Sequence, residues 1–122
     1  MGGTKGEAMD LITGTWEDRI YDPDGEVVKS DVITLRQVGQ EIAGNIRREF
    51  PVTQAHRKWE INGKVIGKDF IAIFWSDNPE ITSHGCWHLR RENQSLFSGY
   101  YMKTDAGDLP SAKQVRMDLV RK

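Results

Sequence analysis

The chain reads as an all-β protein, an eight-stranded antiparallel up-and-down β-barrel, and three observations predict that class. Apolar and polar residues alternate with period 2 along most of the 122 residues, while helical periodicity is nowhere sustained. Residues 85–102 (GCWHLRRENQSLFSGYYM) are two such alternating arms around a polar turn, which is a β-hairpin pattern. Apolar residues are only 38% of the chain against 29% charged, lean for two buried layers but adequate for one core inside a closed sheet.

Residues 1–10 are glycine-rich at their start and read as a flexible leader or the remnant of an added tag; residues 11–122 form the single barrel domain. The first strand spans residues 11–21, with Trp16 and Asp18 on its inward face. Asp22-Pro23-Asp24-Gly25 is a strong turn: proline pre-sets φ, glycine accepts positive φ, and aspartate binds the local backbone. The second strand (26–38) sets Ile33, Leu35 and Gln37 against Val32, Thr34 and Arg36, and returns at Gly39-Gln40. The third (41–50) carries Ile42, Gly44, Ile46, Arg48 and Phe50 inward and ends at Pro51.

A fourth strand (56–62) points Trp59 and Ile61 to one side and turns at Asn62-Gly63, a strong hairpin signal. The fifth (64–76) contains Phe70-Ile71-Ala72-Ile73-Phe74-Trp75, apolar on both faces, so its outer face is either covered or joins a partner subunit; with Ile71 and Ile73 inward, Phe70 and Phe74 form that face. After the loop at Asp77-Asn78-Pro79-Glu80, the hairpin strands follow, Gly85, Trp87 and Leu89 facing in on the first and a bend expected at Gly99 on the second. The last strand (113–122) alternates Val115, Met117 and Leu119 against Arg116, Asp118 and Val120. Trp16, Leu35, Ile46, Trp59, Trp87 and Leu119 are the expected core.

Connection lengths divide the barrel's ends. Three tight turns, near Gly39, Gly63 and Asn93, mark one end; four longer loops, near residues 22–25, 52–55, 77–82 and 104–112, mark the other. The loop-rich end is the expected mouth and the place for a ligand. Strand direction and parity bring Asp18, Arg48, Arg57, Trp75, Tyr100 and Lys113 to it, with Tyr21, Arg47 and Tyr101 outward. Such a set supplies cations for phosphate and flat faces for a base; the alternative is an Arg48–Asp18 pair inside a purely structural core.

With 17 Lys+Arg against 18 Asp+Glu, net charge −1, bulk charge supplies no case for duplex nucleic acid or an anionic membrane. Cys86 alone forms no internal disulfide, which suits a reducing cytosolic setting, and no apolar run approaches the roughly 20 residues needed to cross a bilayer. His84, Cys86 and His88 share one face, but parity turns it to solvent without an evident acidic partner, so no metal and no cofactor is expected. No nucleophile-elbow, phosphate-loop or zinc-protease motif is present, so no enzyme activity is expected.

Ile12-Thr13-Gly14-Thr15-Trp16 resembles the opening strand of avidin-like and lipocalin-like barrels, where Gly-x-Trp packs the closed floor; the rest of the biotin-site pattern is not evident. A broader resemblance runs through Gly14-x-Trp16 with Tyr21, Leu35-x-Gln37 through Gly39 to Ile42-x-Gly44, and Gly85-x-Trp87-x-Leu89 to Leu96 and Gly99-Tyr100. This set resembles the β-barrel sensor domain of two-transmembrane effectors in bacterial CBASS antiphage defence. The resemblance implies a cytoplasmic domain that binds a cyclic dinucleotide, a ligand-induced homo-oligomer, and membrane disruption through inner-membrane helices absent from this chain. A lipocalin-like carrier of a small hydrophobic or mixed ligand is the alternative.

Overall fold

Eight strands follow one another in the computed structural model, which describes residues 11–105 and 113–122. They are β1 (Gly14–Tyr21), β2 (Val27–Val38), β3 (Glu41–Phe50), β4 (Lys58–Ile66), β5 (Asp69–Trp75), β6 (His84–Asn93), β7 (Leu96–Thr104) and β8 (Lys113–Arg121), with one 3₁₀ turn at Val52–Gln54. Each pairs antiparallel with the next, and β8 pairs with β1, so the sheet closes into the expected barrel and leaves no free edge. Tight turns at Gly39-Gln40, Gly67-Lys68 and Gln94-Ser95 occupy one end; the connections before β2, β4, β6 and β8 occupy the other. Most of the connection before β8 lies outside the described residues.

The interior is filled from the closed end. Trp16, Phe70 and Phe97 meet edge to face, with Trp16–Phe97 centroids 5.5 Å apart and Phe70–Phe97 centroids 5.7 Å apart. Ile12, Leu35, Ile42, Leu89 and Leu119 are buried with them. All six residues expected in the core are buried. Although β1 begins only at Gly14, the chain before it is anchored: Ile12 N–H donates to Gln37 Oε1 at 2.7 Å, and Arg121 Nη2 donates to the Leu11 carbonyl at 2.8 Å.

Asn62-Gly63 does not turn. β4 runs straight through it to Ile66, and the reversal falls at Gly67, where φ is 60°. Gly63 is there for close approach, since a Cβ would meet the Ile71 carbonyl oxygen and lie 2.8 Å from Ala72 Cβ. In β5 the inward set is Phe70, Ala72 and Phe74, opposite Leu89, Trp87 and Gly85, whereas Ile71 and Ile73 are 41% and 57% exposed. The two isoleucines, rather than the phenylalanines, therefore form the outer face. Phe50 also faces out, because Ser30 pairs with Phe50 while Asp31 pairs with Arg48, and the extra residue Glu49 inverts the alternation.

The inside and outside of this barrel differ sharply in energetic weight. Phe97→Ala is expected to cost about 3 to 5 kcal/mol in urea unfolding, the range for emptying a filled core site. Ile73→Thr on the outer face should stay within about 0.5 kcal/mol. Comparable losses from both would refute the assignment of faces.

A cationic and aromatic mouth

Asp18 on β1, Asp31 on β2 and Arg48 on β3 stand directly across from one another, so three neighbouring strands carry one polar row into the barrel. All are buried, at 3%, 2% and 9% exposure. Arg48 Nε donates to Asp31 Oδ1, Nη2 reaches Oδ2 at 3.5 Å, and Nη1 donates to Gln54 Oε1 at 3.0 Å. The guanidinium also lies 5.1 Å from the centre of the Trp59 ring. Arg48 thus pairs with Asp31 and not, as the sequence alternative had it, with Asp18.

Two carboxylates set opposite each other in a buried place do not both ionise cheaply. Burial, then the charge and hydrogen bond of Asp31, hold the Asp18 carboxyl well above the usual carboxylate range, against the pull of Arg48 and the Asp31 N–H. That N–H donates to Asp18 Oδ1 at 2.8 Å. Ionising Asp18 is thereby disfavoured beside Asp31, whose carboxyl is held by Arg48.

Around it lies a cavity of about 100 Å³ at the loop-rich end. Lys29, Arg57 and Lys103 line it together with the polar row, so four basic side chains, Arg48 included, face the two carboxyl groups of Asp18 and Asp31. The crowding shows in Lys29, whose amine is pushed below its ordinary value by burial first and then by Lys103 and Arg48. Trp59, Phe74, Trp87 and Tyr101 form the walls, Phe74 and Tyr101 with centroids 6.2 Å apart. Burial, with the charge of Asp18 second, pushes the Tyr101 phenol up to about 12, so it stays a neutral donor. Trp59 Nε1–H is satisfied by Ser83 Oγ at 3.0 Å, but Trp87 Nε1 and Arg57 Nε are buried donors without a partner among the described residues.

Of the residues expected at the mouth, Asp18, Arg48 and Arg57 line this cavity, and Lys113 opens onto an adjoining cleft. Trp75 and Tyr100 do not join them. Phe74 takes the inward position on β5, so Trp75 borders an outer surface cleft with Arg36, Asn45 and Glu60. On β7 the cause is a bulge: Arg91 pairs with Phe97 and Asn93 with Leu96, so Glu92 is extra and shifts parity by one. Trp87 therefore faces Tyr101, which is buried, while Tyr100 is exposed; the expectation had the two tyrosines reversed. Asp31 was missed although it shares parity with Ile33 and Leu35. His84, Cys86 and His88 are exposed on the outer face as parity predicted, but His88 does have an acidic neighbour, Asp69 Oδ1 at 3.3 Å from its Nε2.

The raised Asp18 value has a sign that can be checked. Its proton contributes stability that is full below the ordinary carboxylate range and lost as pH rises toward the raised folded value. Asp18→Asn, which keeps both an acceptor and a donor, should gain stability relative to the parent as pH rises from about 4 toward about 8. Thermal melts of both proteins across that range test this; a gap that does not change with pH would refute it.

No protein-family model and no curated protein matches the chain. Among solved structures it is similar to the crystal structure of a shwanavidin variant in complex with biotin, with TM-score 0.64 over 92% of this chain and 98% of that one, at 12% identity. At that identity the likeness is one of fold, and the chain has an avidin-like eight-stranded barrel.

Proposed function

We propose that this barrel is a ligand-binding sensor, not a catalyst, and that it takes a cyclic dinucleotide across its mouth. The observation that carries the reading is the charge imbalance of the cavity, four basic side chains against two carboxyl groups, one of them disfavoured from ionising by burial and its neighbour, between aromatic walls. An anion offsets that imbalance, a guanidinium binds phosphate through paired N–H donors, and aromatic faces stack bases. The unmatched Trp87 and Arg57 N–H groups call for an acceptor at the same place. A cavity of about 100 Å³ admits only part of such a ligand, so the remainder lies over the rim loops. The shwanavidin variant, of similar fold, holds biotin, which supports the barrel as a holder of small molecules.

Signal output in this reading is self-association, relayed to membrane helices outside this chain as the CBASS resemblance implies. Among the described residues no helix is long and apolar enough to cross a membrane. The outer face offers a patch for a second copy: Ile71, Ile73, Tyr100 and Met102 are all exposed, and they are bridged through His88 and Cys86 in two cross-strand rows.

Calorimetry against a panel of cyclic dinucleotides is the direct test. Arg57→Ala and Arg48→Ala should each weaken binding by about 1.5 to 3 kcal/mol, roughly one to two decades, with Arg→Lys recovering part. Added salt should weaken it further. A carrier of apolar ligands would show neither effect, and a parent that binds no cyclic dinucleotide at high micromolar concentration refutes the proposal. Light scattering should show growth beyond a monomer on ligand addition, abolished by Ile73→Lys while calorimetric affinity of the monomer persists; a monomer under every condition would remove self-association from the account.

A further inference from the structure

Beside the cavity, on the same rim, lies a second cleft lined by Lys29, Lys103 and Lys113 with Tyr101 and Asp105. Lys103 and Lys113 are directly paired across β7 and β8, so their side chains leave the sheet on the same face. Like charges placed opposite each other in this way destabilise a sheet. Among the described residues none of the three lysines makes an ion pair within 4 Å, whereas Lys58 and Lys64 on the outer face both do. Lys29 and Lys103 also line the main cavity, and Tyr101 is the shared wall. The two clefts are therefore one continuous depression with cations at two levels.

The levels follow from strand geometry. Lys29 is one inward step toward the mouth from Asp31, which holds Arg48, and two residues of strand advance about 7 Å. We infer that Lys29, Lys103 and Lys113 form a second anion subsite, distinct from the Arg48–Arg57 subsite, and that the ligand carries two anionic groups separated by roughly that one step. A ligand with a single anionic group would satisfy one subsite and leave the lysine pair repelling itself. The depressed Lys29 amine, crowded by Lys103, is consistent with cations gathered in advance of a counter-charge.

This inference rests on the proposed binding of a phosphorylated ligand at the mouth, and its test is arranged to separate the two. Cyclic di-AMP, cyclic di-GMP and cyclic GMP–AMP serve as two-phosphate probes, and cyclic AMP and cyclic GMP as one-phosphate probes, each titrated calorimetrically into the parent, the double variant Lys103→Met/Lys113→Met, and Arg57→Ala. The double variant should lose about tenfold or more for the two-phosphate probe that the parent prefers, while one-phosphate binding stays within about twofold. Arg57→Ala should weaken both classes. Removing the facing lysines relieves repulsion, so the double variant should melt no lower than the parent, which separates loss of binding from loss of fold. If the double variant binds the two-phosphate probe as the parent does, or loses both classes equally, the second subsite is refuted while binding at the mouth stands. If the parent binds no probe of either class, both readings fall.

Discussion

Closure of β8 onto β1 is the constraint from which the rest of this structure follows. Once the sheet has no edge, every strand has one face committed to a shared interior and one to the outside, and a residue's role is decided by its parity alone. The interior is then divided along its length. At the tight-turn end it is filled by interlocking rings, Trp16, Phe70 and Phe97, all fully buried. Toward the loops the same inward positions are given to Asp18, Asp31, Arg48 and Lys29, so one continuous core changes character from apolar packing to polar and charged groups around a cavity.

The polar row is costly to the fold. Replacing a buried ion pair with apolar residues is often neutral or stabilising. Here the row holds Arg48 against the Trp59 face and in reach of Gln54, fixing a guanidinium that would otherwise sample many rotamers. A cation held in place loses less entropy when an anion arrives.

Much of this was legible before the structure. The barrel, its strand order, its mouth and its six expected core residues all follow from alternation and connection length, because those signals are local and repeated. Asp18, Arg48 and Arg57 were also placed at the mouth from sequence. Failures cluster where one extra residue interrupts the alternation. Glu49 turns Phe50 outward, and Glu92 exchanges Tyr100 for Tyr101. A bulge leaves no mark on composition and yet inverts everything beyond it. Trp75 was misplaced for another reason: β5 is apolar on both faces, so only its partners on β6 decide which side is in. Asn62-Gly63 misled because glycine answers two different needs, reversal and close approach, and here it answers the second.

The closed floor has a kinetic meaning. Arg121 lies 4.3 Å from the centre of the Trp16 ring and Arg91 lies 5.2 Å from that of Phe97, so guanidinium planes cover the aromatic plug from below. Arg121 also ties β8 to the Leu11 and Thr13 carbonyls, which draws the start of the barrel's chain over the same floor. On the proposed reading, a molecule bound at the mouth would leave past the rim side chains and not through this floor. Affinity and dwell would then be tuned by the same few rim side chains, and the far end of the barrel would be free to serve packing alone.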